Sequence, residues 1–347
     1  MSRPTKVENA IQIRGVTKIF GNNPAEAQKL LHEGKSKTEM QAETGHVIGL
    51  DDVSLDVAKG QIFVVMGLSG SGKSTLIRHV NRLIEPTTGE IFVNGDDVLK
   101  MNRDELQYFR RNMVTMVFQK FGLLPHRTVI DNIAYGLQVR GVDRRKRLEE
   151  AEKWMEIVGL SGYQDARPRQ LSGGQQQRVG LARALAMNTD VILMDEAFSA
   201  LDPLIRSGMQ DELINLQKSL NKTILFITHD FDEALKIGDR IAVLKDGAVQ
   251  QVGKPEDIVL KPANEHIEEF VRDVNKARAI HVRAIMEKVD NEPCEYNVPA
   301  DTRCEDVLPL FAQYDRIGVT DENGASIGRL SVKQVVTALA RYSYVSH

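Results

Sequence analysis

The pattern of apolar and polar positions predicts short buried strands that alternate with helices. Residues 62–66 (IFVVM) are continuously apolar, as expected of a strand with two buried faces in a parallel sheet. Mostly apolar runs follow at 191–194, 223–228 and 240–244, and segments with helical spacing lie between them. Alternation of this kind is typical of a parallel α/β sheet.

The chain departs from this alternation near its start and near its end. Residues 21–49 are polar and predict an insertion between strands at 11–20 and 50–57. From about residue 281 the pattern predicts a short mixed unit. Its predicted helices and strands lie near 304–313, 317–320, 326–330 and 332–340.

A highly charged stretch at 143–153 lies in a region that is mostly helical by pattern. It could form a basic patch for anionic lipid or RNA. A solvated helix is favoured, because Arg145/Glu149 and Lys146/Glu150 are spaced to pair one turn apart.

Composition narrows the class of protein. The 347 residues predict one large domain with an appendage, or two domains. A net charge of −3 gives no global basic field for nucleic acid. With only Cys294 and Cys304, neither a disulfide framework nor a four-cysteine zinc site is expected, so a reduced cytosolic setting fits. The start of the chain lacks the apolar stretch of a signal peptide, and no run of about 18 apolar residues predicts a membrane span.

A glycine-rich segment after the first buried strand fits the phosphate-binding pattern G-x-x-x-x-G-K-[ST]. It comprises Gly67, Leu68, Ser69, Gly70, Ser71, Gly72, Lys73 and Ser74. Glycines let the backbone curl and aim N–H groups at phosphate oxygens, and the following helix adds its positive N-terminal end. Lys73 is expected to reach the β/γ-phosphates and the Ser74 hydroxyl to bind Mg²⁺, with Thr75 next to them in the nucleotide site.

Two carboxylates follow the apolar run at 191–194. Asp195 and Glu196 are expected at the carboxyl end of a buried strand, where open α/β sheets bind ligands. Asp195 suits the Mg²⁺ shell, directly or through water. Glu196 suits a base or an orienting group for the attacking water.

A second glycine-rich segment decides the family resemblance. Leu171-Ser172-Gly173-Gly174-Gln175 predicts another phosphate-binding surface at a helix start. It resembles the signature of the ATP-binding cassette (ABC) family, and the resemblance covers about residues 11–250. Other family landmarks occur in the expected order.

The resemblance implies roles for four more residues. Gln119 resembles the Q-loop glutamine near Mg²⁺ and the attacking water, and Asp202 lies in a segment like the D-loop. His229 resembles the switch histidine, although a lone histidine after a strand is more often structural. Phe20 resembles the aromatic residue on which adenine stacks; the alternative is an ordinary core side chain.

The resemblance also implies an architecture. It is an α/β P-loop NTPase (RecA-like) fold with a parallel sheet core, an antiparallel β subdomain and a helical signature subdomain at about 120–178. Residues 1–280 would form this nucleotide-binding domain, with the insertion 21–49, and 281–347 a small α+β domain. Two such chains would form a homodimer in which each ATP, with Mg²⁺, lies between one P-loop and the partner's signature loop.

Longer segments narrow the resemblance to ATPases that import glycine betaine, proline betaine or choline. They are residues 66–86 and 192–206, the insertion at 21–49, the run at 121–126, and a tail that resembles one motif of a cystathionine-β-synthase-type (CBS) regulatory module through 318–330. This implies a peripheral protein at the cytoplasmic face of the cell (inner) membrane, with a permease and a substrate-binding protein as partners.

Two alternatives remain. One is an importer ATPase for another small solute. The other is a soluble cassette ATPase acting on nucleic acid or the ribosome. The second is disfavoured because cassette ATPases that repair DNA or organise chromosomes usually have a long coiled coil between the P-loop and the signature. Here Gly72 and Ser172 are 100 positions apart, and no heptad run lies between them. Nucleic acid is therefore not expected as a partner.

Overall fold

The computed structural model describes residues 8–24, 27, 37–118, 122–199, 201–272, 274–288 and 294–340. The chain divides into two compact units. The first contains residues 1–229 and 244–249, and the second contains 230–243 and 250–347. No helix in the described part of the chain is long and apolar enough to cross a membrane.

The first unit contains two sheets and most of the helices. In chain order its elements are β1 (Asn9–Phe20), α1 (Lys37–Thr44), β2 (Val47–Ala58), β3 (Ile62–Met66), α2 (Lys73–Val80), β4 (Thr88–Val93), β5 (Asp96–Asp97), α3 (Arg103–Asn112), β6 (Val114–Val117), α4 (Val129–Ile133), α5 (Tyr135–Val139), α6 (Arg144–Ile157), α7 (Gly173–Ala186), β7 (Val191–Asp195), α8 (Pro203–Leu220) and β8 (Thr223–Thr228).

The second unit holds shorter elements. They are α9 (Phe231–Ile237), β9 (Arg240–Lys245), β10 (Ala248–Gly253), α10 (Pro255–Leu260), α11 (Glu265–Arg272), α12 (Lys276–Ala279), β11 (Asn297–Pro299), α13 (Cys304–Val307), β12 (Arg316–Thr320), β13 (Ser326–Ser331) and α14 (Val332–Ala340). Residues 244–249, which comprise the end of β9, the turn after it and the start of β10, belong to the first unit.

The parallel strands of the first unit lie in the order β3, β8, β7, β6. Every residue of β3, β7 and β8 is buried, as their continuous apolar runs predict. Met66 is paired with Thr228, and Asp195 with Ile227. The carboxyl ends of these three strands therefore meet at one edge of the sheet, and the loops that follow them are brought together.

The antiparallel sheet has the order β2, β1, β4, β5. The insertion between β1 and β2 has a small core of its own, in which Ile19, Ala27 and Met40 are buried and Ile48 packs against them. The spacing of Ala27, Leu30 and Leu31 predicts a helix within the insertion, and most of that stretch lies outside the described residues. The two ends of the insertion are tied together, because the Asn23 N–H donates to His46 Nε2 at 3.1 Å.

Residues 102–178 are mostly helical by pattern, and the structure adds the short strand β6 to the helices of this region. This strand has four residues and is paired with β7, so its stability comes from a neighbour that is distant in sequence. The charged stretch forms the first part of α6, and Arg145 pairs with Glu149 at 2.8 Å as expected. Glu150 accepts a hydrogen bond from Trp154 Nε1 at 2.9 Å.

The end of the second unit is a three-stranded sheet of order β11, β12, β13, followed by α14. It is tied to the earlier helices of the same unit. Arg278 pairs with Glu305 at 3.0 Å, and Arg303 donates to the carbonyl oxygen of Lys236 at 3.1 Å.

Candidate nucleotide site

The loop after β3 has a backbone that only glycine allows at two positions. Gly72 has φ = 98°, and a Cβ atom there would collide with the carbonyl oxygen of Gly49. A Cβ atom at Gly67 would collide with the carbonyl oxygen of Leu244. The loop is thus folded tightly against its surroundings, while Ser69 and Gly70 at its tip are exposed.

Helix α2 begins directly after this loop and is open to an anion at its start. Gly72 is the N-cap residue and supplies no side-chain hydrogen bond to the first turn. The first N–H groups of a helix lack partners within the helix, and they carry the positive end of its dipole. Phosphate oxygens are the natural acceptors for such groups.

Lys73 is almost fully buried beneath the loop. Its Nζ donates to the carbonyl oxygens of Gly67 and Leu68, both at 2.8 Å. Burial lowers the pKa of Lys73, and the negative charges of Glu196 and Asp195 oppose that shift. The ammonium is therefore held inside the loop by neutral carbonyls, which a phosphate would replace with a stronger, charged acceptor.

Ser74 and Asp195 form the best candidate metal site. The Ser74 hydroxyl donates to Asp195 Oδ1 at 2.8 Å, and Arg78 Nη2 lies 3.1 Å from Asp195 Oδ2. Mg²⁺ takes octahedral ligands at 2.0–2.1 Å, so adjacent ligand oxygens are about 2.8–3.0 Å apart. The separation of the two oxygens fits neighbouring ligands of such an ion.

Glu196 leaves the sheet with a strained backbone. Its φ is 48°, which is uncommon for a residue that is neither glycine nor asparagine. Its N–H still bonds to the carbonyl oxygen of Ile227 at 3.0 Å. Its Oε2 lies 3.3 Å from Nδ1 of His229, the residue that follows β8. The candidate base Glu196 and His229 are thus paired at the ends of two adjacent strands, and the His229 side chain is half exposed.

Phe20 lies beside the first turn of α2 in spite of the insertion that follows it. The edge of its ring is close to Gly49, and Thr75 Cγ2 is close to the same point. The ring is 40% exposed, and Lys18 Nζ lies 5.1 Å from its centroid. An exposed ring next to a phosphate-binding helix can stack on a base. With this exposure Phe20 is not the ordinary core side chain of the alternative interpretation.

The second glycine-rich segment starts α7. Ser172 Oγ accepts the N–H of Gln175, and Gln175 Oε1 accepts the N–H of Ser172, which forms a capping box. Gly173 has open space around it, and Gly174 packs against Ile205 of α8.

Asp202 belongs to this second group of residues. It caps α8 by accepting the N–H of Ile205 at 3.1 Å. Gln177 Nε2 of α7 donates to the carbonyl oxygen of Ala197, the residue after Glu196. This side chain links the two groups of site residues, and no motif in the sequence marks it.

Comparisons with known proteins identify the family of this chain. A sequence model of the ABC transporter family matches residues 50–199. The glycine betaine transport ATP-binding protein OpuAA of Bacillus subtilis is 51% identical over 81% of this chain and 67% of its own. The glycine betaine/proline betaine transport system ATP-binding protein ProV of Escherichia coli is 45% identical over 95% of this chain and 83% of its own. The chain is an ABC transporter ATP-binding protein.

A further relative matches this ABC protein over almost its full length. The trimethylamine N-oxide transport system ATP-binding protein TmoW of Pelagibacter ubique is 44% identical over 94% of this chain and 96% of its own. The solved dimeric, post-hydrolysis structure of the ATP-binding cassette MJ0796, bound to ADP and Pi, covers 70% of the chain at 32% identity with a TM-score of 0.60. The ABC fold, ATP hydrolysis and the capacity of such cassettes to dimerise follow from these matches.

The structure brings most predicted site residues of the cassette into two groups. The P-loop, Asp195, Glu196, His229 and Phe20 lie around the start of α2, whereas the signature residues and Asp202 lie around the starts of α7 and α8. Gln119 lies outside the described residues, so its predicted place near Mg²⁺ stays a prediction. Arg78 is an additional residue of the first group.

Proposed function

We propose that this cassette powers the import of a small solute that carries a methylated quaternary nitrogen, such as glycine betaine, proline betaine or choline. The observation that carries the proposal is the identity of 45–51% to glycine betaine transport ATPases over four fifths of the chain or more. Trimethylamine N-oxide, named for a relative of nearly the same length, belongs to the same chemical class. A choline transport relative is 40% identical over 76% of the chain.

The site residues support a composite mechanism for this transporter. Lys73 and the α2 N-terminus would hold the phosphates, Ser74 and Asp195 would hold Mg²⁺, and Phe20 would hold the base. Mg²⁺ neutralises charge on the transferred phosphoryl group. Glu196 would orient or deprotonate the attacking water, with His229 beside it. The partner subunit's signature loop would complete each site, since the signature residues of one chain lie in a separate group.

The partners and location follow from the proposed role. A permease would provide the pathway, a substrate-binding protein would select the solute, and the cassette would work at the cytoplasmic face of the cell membrane. The end of the chain, 281–347, would be a CBS-like regulatory domain. A cavity of about 440 Å³ there, lined by Arg283, Thr320 and Asp321 among others, offers room for an effector.

Transport by the reconstituted complex tests the proposal. The cassette, its permease and its binding protein are placed in lipid vesicles, and uptake of labelled glycine betaine, choline and trimethylamine N-oxide is measured with ATP. The same vesicles with Glu196→Gln provide the control for ATP-driven uptake. Uptake of at least one of these solutes is expected. Vesicles that hydrolyse ATP but take up none of the three solutes would contradict the proposal.

A further inference from the structure

Two side chains of helix α2 hold the two oxygens of one carboxylate. Ser74 and Arg78 are four residues apart, so they lie one turn apart on the same face of the helix. Ser74 Oγ bonds to Asp195 Oδ1 at 2.8 Å, and Arg78 Nη2 bonds to Asp195 Oδ2 at 3.1 Å. The helix therefore fixes the rotation of the carboxylate as well as its position.

This arrangement has an energetic reason. Asp195 is only 2% exposed, and a buried charge is costly unless it is paired and hydrogen-bonded. The terminal torsion of an aspartate is broad, so one hydrogen bond alone leaves the carboxylate free to turn. With Oδ2 held by the guanidinium, Oδ1 stays directed at the Ser74 hydroxyl. Asp195 Oδ1 and the Ser74 hydroxyl oxygen then keep the 2.8 Å spacing that suits adjacent Mg²⁺ ligands.

We propose that Arg78 is a positioning residue that holds Asp195 in its metal-binding orientation. It would not touch the metal or the nucleotide; it would act through the carboxylate. Residues that orient metal ligands from behind typically change metal affinity by about 10- to 100-fold when they are replaced. The inference rests on the proposed function in one respect, namely that nucleotide enters this site with Mg²⁺.

The sign of the effect separates positioning from simple charge. Arg78 is a cation close to a cation site, so Coulomb's law alone predicts that removing it would strengthen metal binding. Positioning predicts the opposite, because a freed Asp195 turns away from Ser74 and the preformed pair of ligands is lost. Metal affinity therefore discriminates between the two effects without any measurement of ATP hydrolysis.

The experiment uses the full chain and Mn²⁺, which can be followed by electron paramagnetic resonance. Mn²⁺ is titrated into wild type, Arg78→Met and Arg78→Lys, each saturated with a non-hydrolysable ATP analogue. Arg145→Met is the matched control, because it removes the same charge from an exposed ion pair on α6. Binding of a fluorescent ATP analogue in EDTA reports the nucleotide site without metal.

We expect Arg78→Met to weaken Mn²⁺ binding about 10- to 100-fold, with an intermediate loss in Arg78→Lys and none in Arg145→Met. Metal-free nucleotide binding should be unchanged in all variants. Unchanged or tighter Mn²⁺ binding by Arg78→Met would overturn the inference. If Arg78→Met does not fold, Arg78→Lys decides, since it keeps the charge and alters only the geometry. A wild type that binds no metal–nucleotide would refute the proposed function instead.

Discussion

Acid is expected to destabilise the cassette through His79, a histidine of helix α2. Its side chain is fully buried. Neither ring nitrogen meets a partner at good hydrogen-bond geometry, although the backbone of Ile84 is near enough to favour the charged form slightly. Burial disfavours the imidazolium and lowers the pKa of His79 from 6.5 to about 4.

The size of the effect follows from that difference. The unfolded chain takes up this proton near pH 6.5, whereas the folded chain resists it until about pH 4. The free energy of unfolding is therefore unaffected by His79 at higher pH, and it falls as the pH drops through 6.5 toward 4. At about 1.4 kcal/mol for each pH unit, the total is roughly 3 kcal/mol, of which about 2 kcal/mol is lost by pH 5.

Urea unfolding of the nucleotide-free protein at pH 7 and pH 5 measures this loss in the free energy of unfolding. His79→Leu removes the titrating group and replaces it with an apolar side chain that suits a dry site. His126→Leu is the control, because His126 is exposed. Wild type and the control should lose about 2 kcal/mol more than His79→Leu between the two pH values. The reasoning is refuted if all three lose the same amount.

Three further predictions concern the site and the tail. Glu196→Gln should retain nucleotide but lose about 10²–10⁴-fold in turnover, measured by phosphate release; near-normal hydrolysis would remove Glu196 from the role. Mixing Lys73→Ala with Ser172→Arg subunits should restore one complete site for each heterodimer, so ATP-driven association on a sizing column should exceed that of either variant alone. No gain would place the site within one chain. Deletion of 281–347 should leave basal hydrolysis intact but flatten the response of transport to salt, because surface ion pairs are screened over about 8 Å at physiological ionic strength. An unchanged salt response would leave the tail a structural role only.

The parallel core could be predicted from the sequence because its strands are buried on both faces. Ile62–Met66 and Thr223–Thr228 coincide with the predicted runs. A continuous apolar run is a local signal, so the burial of such a strand can be predicted without knowing which strands it pairs with. Val114–Val117 gave no such signal, since only its end residues are buried and the strand depends on its pairing with β7.

The motifs predicted which residues would meet, but not how their side chains would be held. The G-x-x-x-x-G-K-[ST] pattern itself specifies glycine at two positions. In the structure, a Cβ atom at Gly67 or Gly72 would collide with a backbone carbonyl oxygen. The contacts of Arg78 with Asp195 and of Gln177 with Ala197 depend on how α2 and α7 pack against the end of β7 and the residues that follow it. The spacing of Ser74 and Arg78 was visible in the sequence, yet it became informative only once a carboxylate was known to face that side of the helix.

The conformation of Glu196 shows most directly why the geometry of the site could not be derived from a motif. Its N–H continues the ladder to β8 through Ile227, so the sheet holds one side of the residue in place. The chain then has to turn out of the sheet at once, and φ = 48° is the result. Such a conformation costs about 1–3 kcal/mol and persists only where the surroundings determine it. This backbone conformation directs the Glu196 carboxylate at His229, the first residue after the adjacent strand. The pairing of the catalytic candidates thus depends on the register between β7 and β8. The register sets Asp195 opposite Ile227, so Glu196 follows one residue and His229 two residues after this pair, and their side chains meet beyond the edge of the sheet.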